Sequence, residues 1–148
     1  MKLRFRSLFL ILTLALLVVG LAACSETAQT DKTPDASALA AFQAEPATNN
    51  GDATKGIQVF GRMPCLTCHT VSGMNGGPPQ AAAPTLDHIG TNAATRVPGV
   101  TAAQYIRHAI LKPDDLTIPE YHNVMPSFST SLSQTDLDNL VAYLLTLK

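Results

Sequence analysis

Apolar side chains recur at Leu137, Leu140, Val141, Leu144 and Leu147 near the end of the chain, with Tyr143 beside the stripe. This spacing is helical, and Ser133 with Asp136 resembles a capping box, so a helix is expected over about 134–147. Tyr105, Ile106, Ala109 and Ile110 form a second apolar face. Thr101 and Gln104 supply a capping-box pattern and Pro113 a stop, which places that helix over about 102–112. A third helix is expected over about 52–63, with Asp52 as its cap and Gly56, Phe60 and Met63 on one face. The stretch SGMNGGPPQAAAP excludes a long helix or an inner strand. No segment alternates as a strand and no internal repeat appears. The pattern predicts an all-α domain of three to four short helices joined by long loops. Such a domain has a thin core and calls for a staple or a prosthetic group.

The N-terminus has a different pattern. Lys2, Arg4 and Arg6 precede an uncharged run from Leu8 to Ala23. At sixteen residues the run falls short of the roughly 20 that cross a hydrocarbon core. A basic head, an apolar middle and small residues at its end describe an export signal rather than a retained transmembrane anchor. The run ends in LAAC, Leu21 to Cys24, which resembles the lipobox of bacterial lipoproteins. That resemblance implies cleavage of residues 1–23 and lipidation of Cys24, with the protein held outside the cytoplasm at a membrane surface. An ordinary cleavage site beside a chance cysteine is the alternative.

Residues 24–50 then read as the lipidated cysteine and a flexible tether, rich in Ala, Thr, Ser, Pro and Asn, and residues 51–148 as the folded domain. Removal of residues 1–23 takes three of the ten basic side chains and none of the eleven acidic ones, leaving seven against eleven, a formal −4. The basic footprint of a nucleic-acid binder is absent.

Cys65, Cys68 and His69 spell C-x-x-C-H, the pattern of c-type haem attachment. Two thiols at this spacing suit thioether formation with the two vinyl groups of one porphyrin, and the next residue offers its imidazole to the iron. A structural zinc site would need two further ligands, and His88, His108 and His122 are isolated from one another. A thioredoxin-like dithiol needs a preceding strand that the sequence does not show, and a simple disulfide is the remaining rival. A second axial ligand must come from far along the chain. Met125, in the loop HNVMPSFS ahead of Pro126, is a soft thioether that would raise the potential. His122 competes with it, and a packing role is the bland alternative for Met125. Met63 and Met74 lie close to the attachment point in sequence.

On these residues the chain resembles a bacterial class I, monohaem cytochrome c made as a lipoprotein, the likeness running from Gly51 to Lys148. GIQVF resembles the family's first helix and LVAYL its last, where a glycine and aromatics pack together. APTLDHIG resembles the loop after the haem motif. The resemblance implies that the Pro84 carbonyl accepts the His69 ring N–H and that Leu86 covers the haem. VMPSF resembles the methionine-ligand loop, and YIRHAILKPD the middle helix on the propionate side. Arg107 is left open between a propionate partner, an exposed ion pair and a free side chain. His108 is expected at the surface, and Asp87 and His88 are expected to be loop polars.

The resemblance implies one covalent haem c with His69 and Met125 on the iron. It implies an outer-sphere electron carrier, not an enzyme, exchanging electrons with a membrane oxidase, reductase or photosynthetic complex, with no small-molecule substrate. The alternatives are a haem-based sensor and a haem subunit inside a larger oxidoreductase complex.

Overall fold

The structure is a computed structural model and describes residues 36–77, 82–116, 118 and 121–148. The export signal and Cys24 lie outside the described residues. The described residues form five α-helices: α1 (Ala36–Gln43), α2 (Ala53–Arg62), α3 (Ile89–Arg96), α4 (Ala102–Leu111) and α5 (Gln134–Leu144). Two short 3-10 turns, Pro64–Thr67 and Pro113–Asp115, follow α2 and α4. Among the described residues there is no strand, and no helix is long and apolar enough to cross a membrane.

Local chemistry sets the three expected helices. Asp52 caps α2, its Oδ1 accepting from the N–H groups of Thr54 and Lys55 at 2.8 and 3.3 Å. Thr101 and Gln104 close the capping box of α4, and Ser133 Oγ accepts from the N–H of Asp136 at 3.1 Å to start α5. Each such cap contributes about 1 kcal/mol.

Helices α2 and α5 form the most extensive helix pair. Gly56 permits it, because a Cβ there would lie 2.0 Å from the Asn139 carbonyl oxygen and 2.6 Å from Tyr143 Cβ. Gly51 meets the Asp138 carbonyl in the same way. The close approach brings Phe60 and Tyr143 together with ring centroids 5.4 Å apart, as expected for the glycine–aromatic pairing. Val59, Phe60, Leu140 and Val141 are buried in this seam, each worth roughly 1.5–3 kcal/mol.

Helix α3 lies outside the three helices placed by periodicity. Its sequence, IGTNAATR, has few strong helix formers, and His88 gives it no side-chain cap. Tertiary packing holds it instead: it rests on α4, Ala93 is fully buried, and the C-terminal residues dock on Gly90. The N–H of Gly90 donates to the Leu147 carbonyl at 2.8 Å.

The expectation of a flexible tether through residue 50 is corrected over residues 36–50, which belong to the same compact unit as the rest of the domain. Phe42 is 0 % exposed, stacked on Tyr105 and tilted against His108 of α4, at centroid distances of 6.0 and 4.1 Å. Gln104 Nε2 donates to the carbonyls of Gln43 and Glu45 at 3.2 and 2.9 Å, and Thr101 Oγ1 donates to that of Ala47 at 3.1 Å. A run of small residues gains its order here from one aromatic anchor and five side chain–backbone hydrogen bonds, these three and those from Gln43 Nε2 to the Gly99 carbonyl and from Asn49 Nδ2 to that of Asp138.

His108 is therefore not at the surface. It is 0 % exposed, packed on Phe42, with Nε2 2.9 Å from Asp115 Oδ2 and Nδ1 3.8 Å from Glu45 Oε1. Arg107 is also buried and faces away from the cleft described below. Its Nη2 donates to Asp138 Oδ1 at 2.5 Å and to Asn49 Oδ1 at 3.1 Å, so it ties α4 to α5 and to the N-terminal arm.

Candidate haem-binding cleft

Helix α2 ends at Arg62, and Pro64 opens the 3-10 turn, a position where its missing N–H costs nothing. The Cys65 carbonyl accepts from the N–H groups of Cys68 and His69 at 3.3 and 3.0 Å. This tight turn puts Cys65, Cys68 and His69 on the wall of one cleft. Both thiols are free and half-buried. Burial pushes the Cys65 thiol up to about 11, so it stays uncharged at neutral pH. Among the described residues, no three His, Cys, Asp or Glu side chains gather as a metal cage.

His69 is oriented by the chain. Its Nδ1–H donates to the Pro84 carbonyl at 2.8 Å, the contact implied by the resemblance, which leaves Nε2 as the free lone pair. The Pro84 carbonyl is fixed by a clasp between residues 70–72 and 85–87. The Leu86 N–H donates to the Thr70 carbonyl at 2.9 Å. Asp87 accepts from the Ser72 N–H at 2.6 Å, from Ser72 Oγ at 2.9 Å and from Thr85 Oγ1 at 2.9 Å. These bonds, the Ser72 N–H first, hold the Asp87 carboxyl below its usual range. Asp87 is thus the centre of the clasp rather than a bystander. The T-x-D spacing of Thr85 and Asp87 is its local signal in the sequence.

The cleft is otherwise apolar. Leu86, Ile106, Ala109, Ile110, Leu140 and Leu144 contribute to its walls, so the apolar face expected for α4 borders it. Met125 reaches the same cleft from the far end of the chain and packs half-buried against the core. His122 also lines it but is exposed. Met63 lines the cleft, while Met74 does not and instead receives the Tyr143 hydroxyl at 3.7 Å.

Arg96, with Asn92 beside it, is the contribution that sequence reasoning missed. Both come from α3, one turn apart, and Arg96 is the one Lys or Arg among the described lining residues. Its charge acts on the Tyr105 phenol, opposing the upward shift that burial causes. The i, i+4 spacing of Asn92 and Arg96 was a usable signal, but it required the helix to be recognised first.

The donor set fits a c-type haem: two thiols and an imidazole on one turn, an apolar slot, a thioether from a distant loop, and a polar corner able to receive carboxylates. The family model for cytochrome c matches residues 53–148. A search of curated proteins finds no match.

Proposed function

The chain belongs to the cytochrome c family, and from that premise we propose that it is a class I monohaem electron carrier, tethered by lipid on Cys24 to the extracytoplasmic face of a membrane. Domains of this family are typically non-catalytic carriers. The observation that supports the reading best is the meeting of Cys65, Cys68, a Pro84-held His69 and Met125 in one apolar cleft.

When bound, haem supplies one-electron chemistry through its ferric and ferrous states. Cys65 and Cys68 would hold it by two thioethers. His69 would give Nε2 to the iron, with Pro84 fixing the ring, and Met125 would give its sulfur, which would leave no position for a substrate. Met125 is favoured over His122 because it is the half-buried member of the pair. Leu86 covers the slot and the apolar wall keeps water out, which limits rearrangement on electron transfer. Arg96 and Asn92, which line the cleft, would receive the propionates in the role left open for Arg107. Partners are respiratory or photosynthetic redox complexes at the same membrane, and no small-molecule substrate is involved.

The test is spectroscopic. Haem should survive acid–acetone extraction, and the ferric protein should show the weak red charge-transfer band of sulfur ligation. Met125→Ala should abolish that band and lower the potential, while His122→Ala should leave both in place. The ferrous protein should not bind carbon monoxide at neutral pH; prompt stoichiometric binding would favour a sensor. Cys24→Ser should release the protein from membranes, and if it stays bound the lipid assignment is wrong.

A further inference from the structure

We propose that Asn123 and Ser127 are positioning residues that bracket Met125 and hold its thioether in the cleft, an inference that rests on Met125 being the second axial ligand. Residues 122–128 have no regular secondary structure. No ladder of the loop's own therefore fixes the backbone on either side of Met125.

The end of α4 supplies what the loop lacks. The last carbonyls of a helix have no intrahelical donor. In α4 the final turn closes with the Lys112 N–H on the His108 carbonyl at 2.7 Å, and Pro113 then turns the chain away. The carbonyls of Ile110 and Leu111 are taken up by the methionine loop. The Phe128 N–H donates to Ile110 at 3.1 Å, and Ser127 Oγ donates to Leu111 at 2.6 Å. On the other side of Met125, Asn123 Nδ2 donates to the Pro113 carbonyl at 3.1 Å and to Asp114 Oδ1 at 3.0 Å. The two side chains two residues before and two residues after Met125 thus grip one short stretch, residues 111–114. That stretch continues the helix whose face lines the cleft.

The bracket sets how often the sulfur leaves the iron. A sulfur held from both sides rarely gives up its place to water or carbon monoxide, and one held from a single side does so more often. Ser127→Ala and Asn123→Ala should keep covalent haem and native helix content. Their ferrous forms should take up carbon monoxide about tenfold faster or more than the parent, in proportion to the fraction of molecules with the iron open. Their ferric red band should be lost at lower pH than in the parent. Ser127→Thr keeps the hydroxyl and should restore both readouts. Arg62→Ala, which breaks the 2.6 Å surface ion pair with Asp136, should move neither and controls for general loss of stability. If Asn123→Ala and Ser127→Ala keep the parental red band and stay inert to carbon monoxide while Met125→Ala loses the band, the bracket is refuted and the ligand assignment stands. If Met125→Ala itself keeps the band, the ligand assignment fails and the bracket with it.

Discussion

His69 and Pro84 are joined by a 2.8 Å hydrogen bond from Nδ1–H to the backbone carbonyl, and the carboxylate of Asp87 holds that carbonyl in place. Proline presents its carbonyl but has no N–H with which to anchor itself. The anchoring falls to Asp87, which gathers Ser72 and Thr85 and so closes the loop that starts at His69.

Asp87→Asn should therefore loosen the His69 ring and make the protein less stable at neutral pH. The Ser72 N–H, then the Thr85 and Ser72 hydroxyls, lower the Asp87 pKa from the ordinary 3.8. A depressed folded value contributes stability that is present above the ordinary value and is lost as pH falls through the folded one. The stability gap between parent and variant should thus be full at neutral pH and close in acid. Urea unfolding across that range checks it, and a gap that persists unchanged in acid would contradict it.

Gly56 and Gly61 lie on the same helix and should respond oppositely to alanine. At Gly56 the new Cβ meets backbone at 2.0 Å, so α2 and α5 must separate, costing about 3 kcal/mol and lowering Tm by roughly 10–20 °C. At Gly61 nothing lies within 4 Å, and alanine should stabilise by about 0.5–1 kcal/mol. Thermal unfolding of the two variants checks the pair.

What the sequence made legible was local. The Thr101–Gln104 box and Pro113 mark the ends of α4 within a few residues, and C-x-x-C-H fixes three cleft residues because their spacing alone folds the turn. The direction in which a side chain on a known helix faces was harder to read. Arg107 and His108 look like surface residues of an amphipathic helix, but residues 36–50 cover that side of α4 and bury both. Helix α3 escaped because Ala93 and Gly90 carry its packing, and small residues leave no hydrophobic stripe. Arg96 went unnoticed with it.

Arg96 and Arg107 offer a contrast between site and scaffold. Arg96→Gln removes a positive charge from the cleft, so the ferric form gains relative to the ferrous. The potential should fall by on the order of 1 kcal/mol, roughly 40 mV for one electron, with stability little changed. Arg107→Gln leaves the charge of the cleft as it is, because Arg107 does not line it, but breaks the buried link to Asp138 and Asn49. It should destabilise by about 3 kcal/mol with the potential near that of the parent. Voltammetry and denaturant titration of both variants separate the roles. A larger drop in potential for Arg107→Gln would reverse the assignment.

The family match begins at residue 53, but the folded unit includes the arm before it. Phe42 makes this testable, because it is fully buried between Tyr105 and His108. Phe42→Ala should cost about 3–5 kcal/mol, as a core residue would. A chain shortened to begin at Gly51 loses the same contact and the Gln104 and Thr101 bonds to the arm, and it uncovers His108. It should unfold at lower denaturant and react with a histidine-modifying reagent at His108, whereas a chain beginning at Lys32 should match the full-length domain on both counts. Coincident unfolding curves for the two shortened chains would mean that the arm adds nothing to the fold.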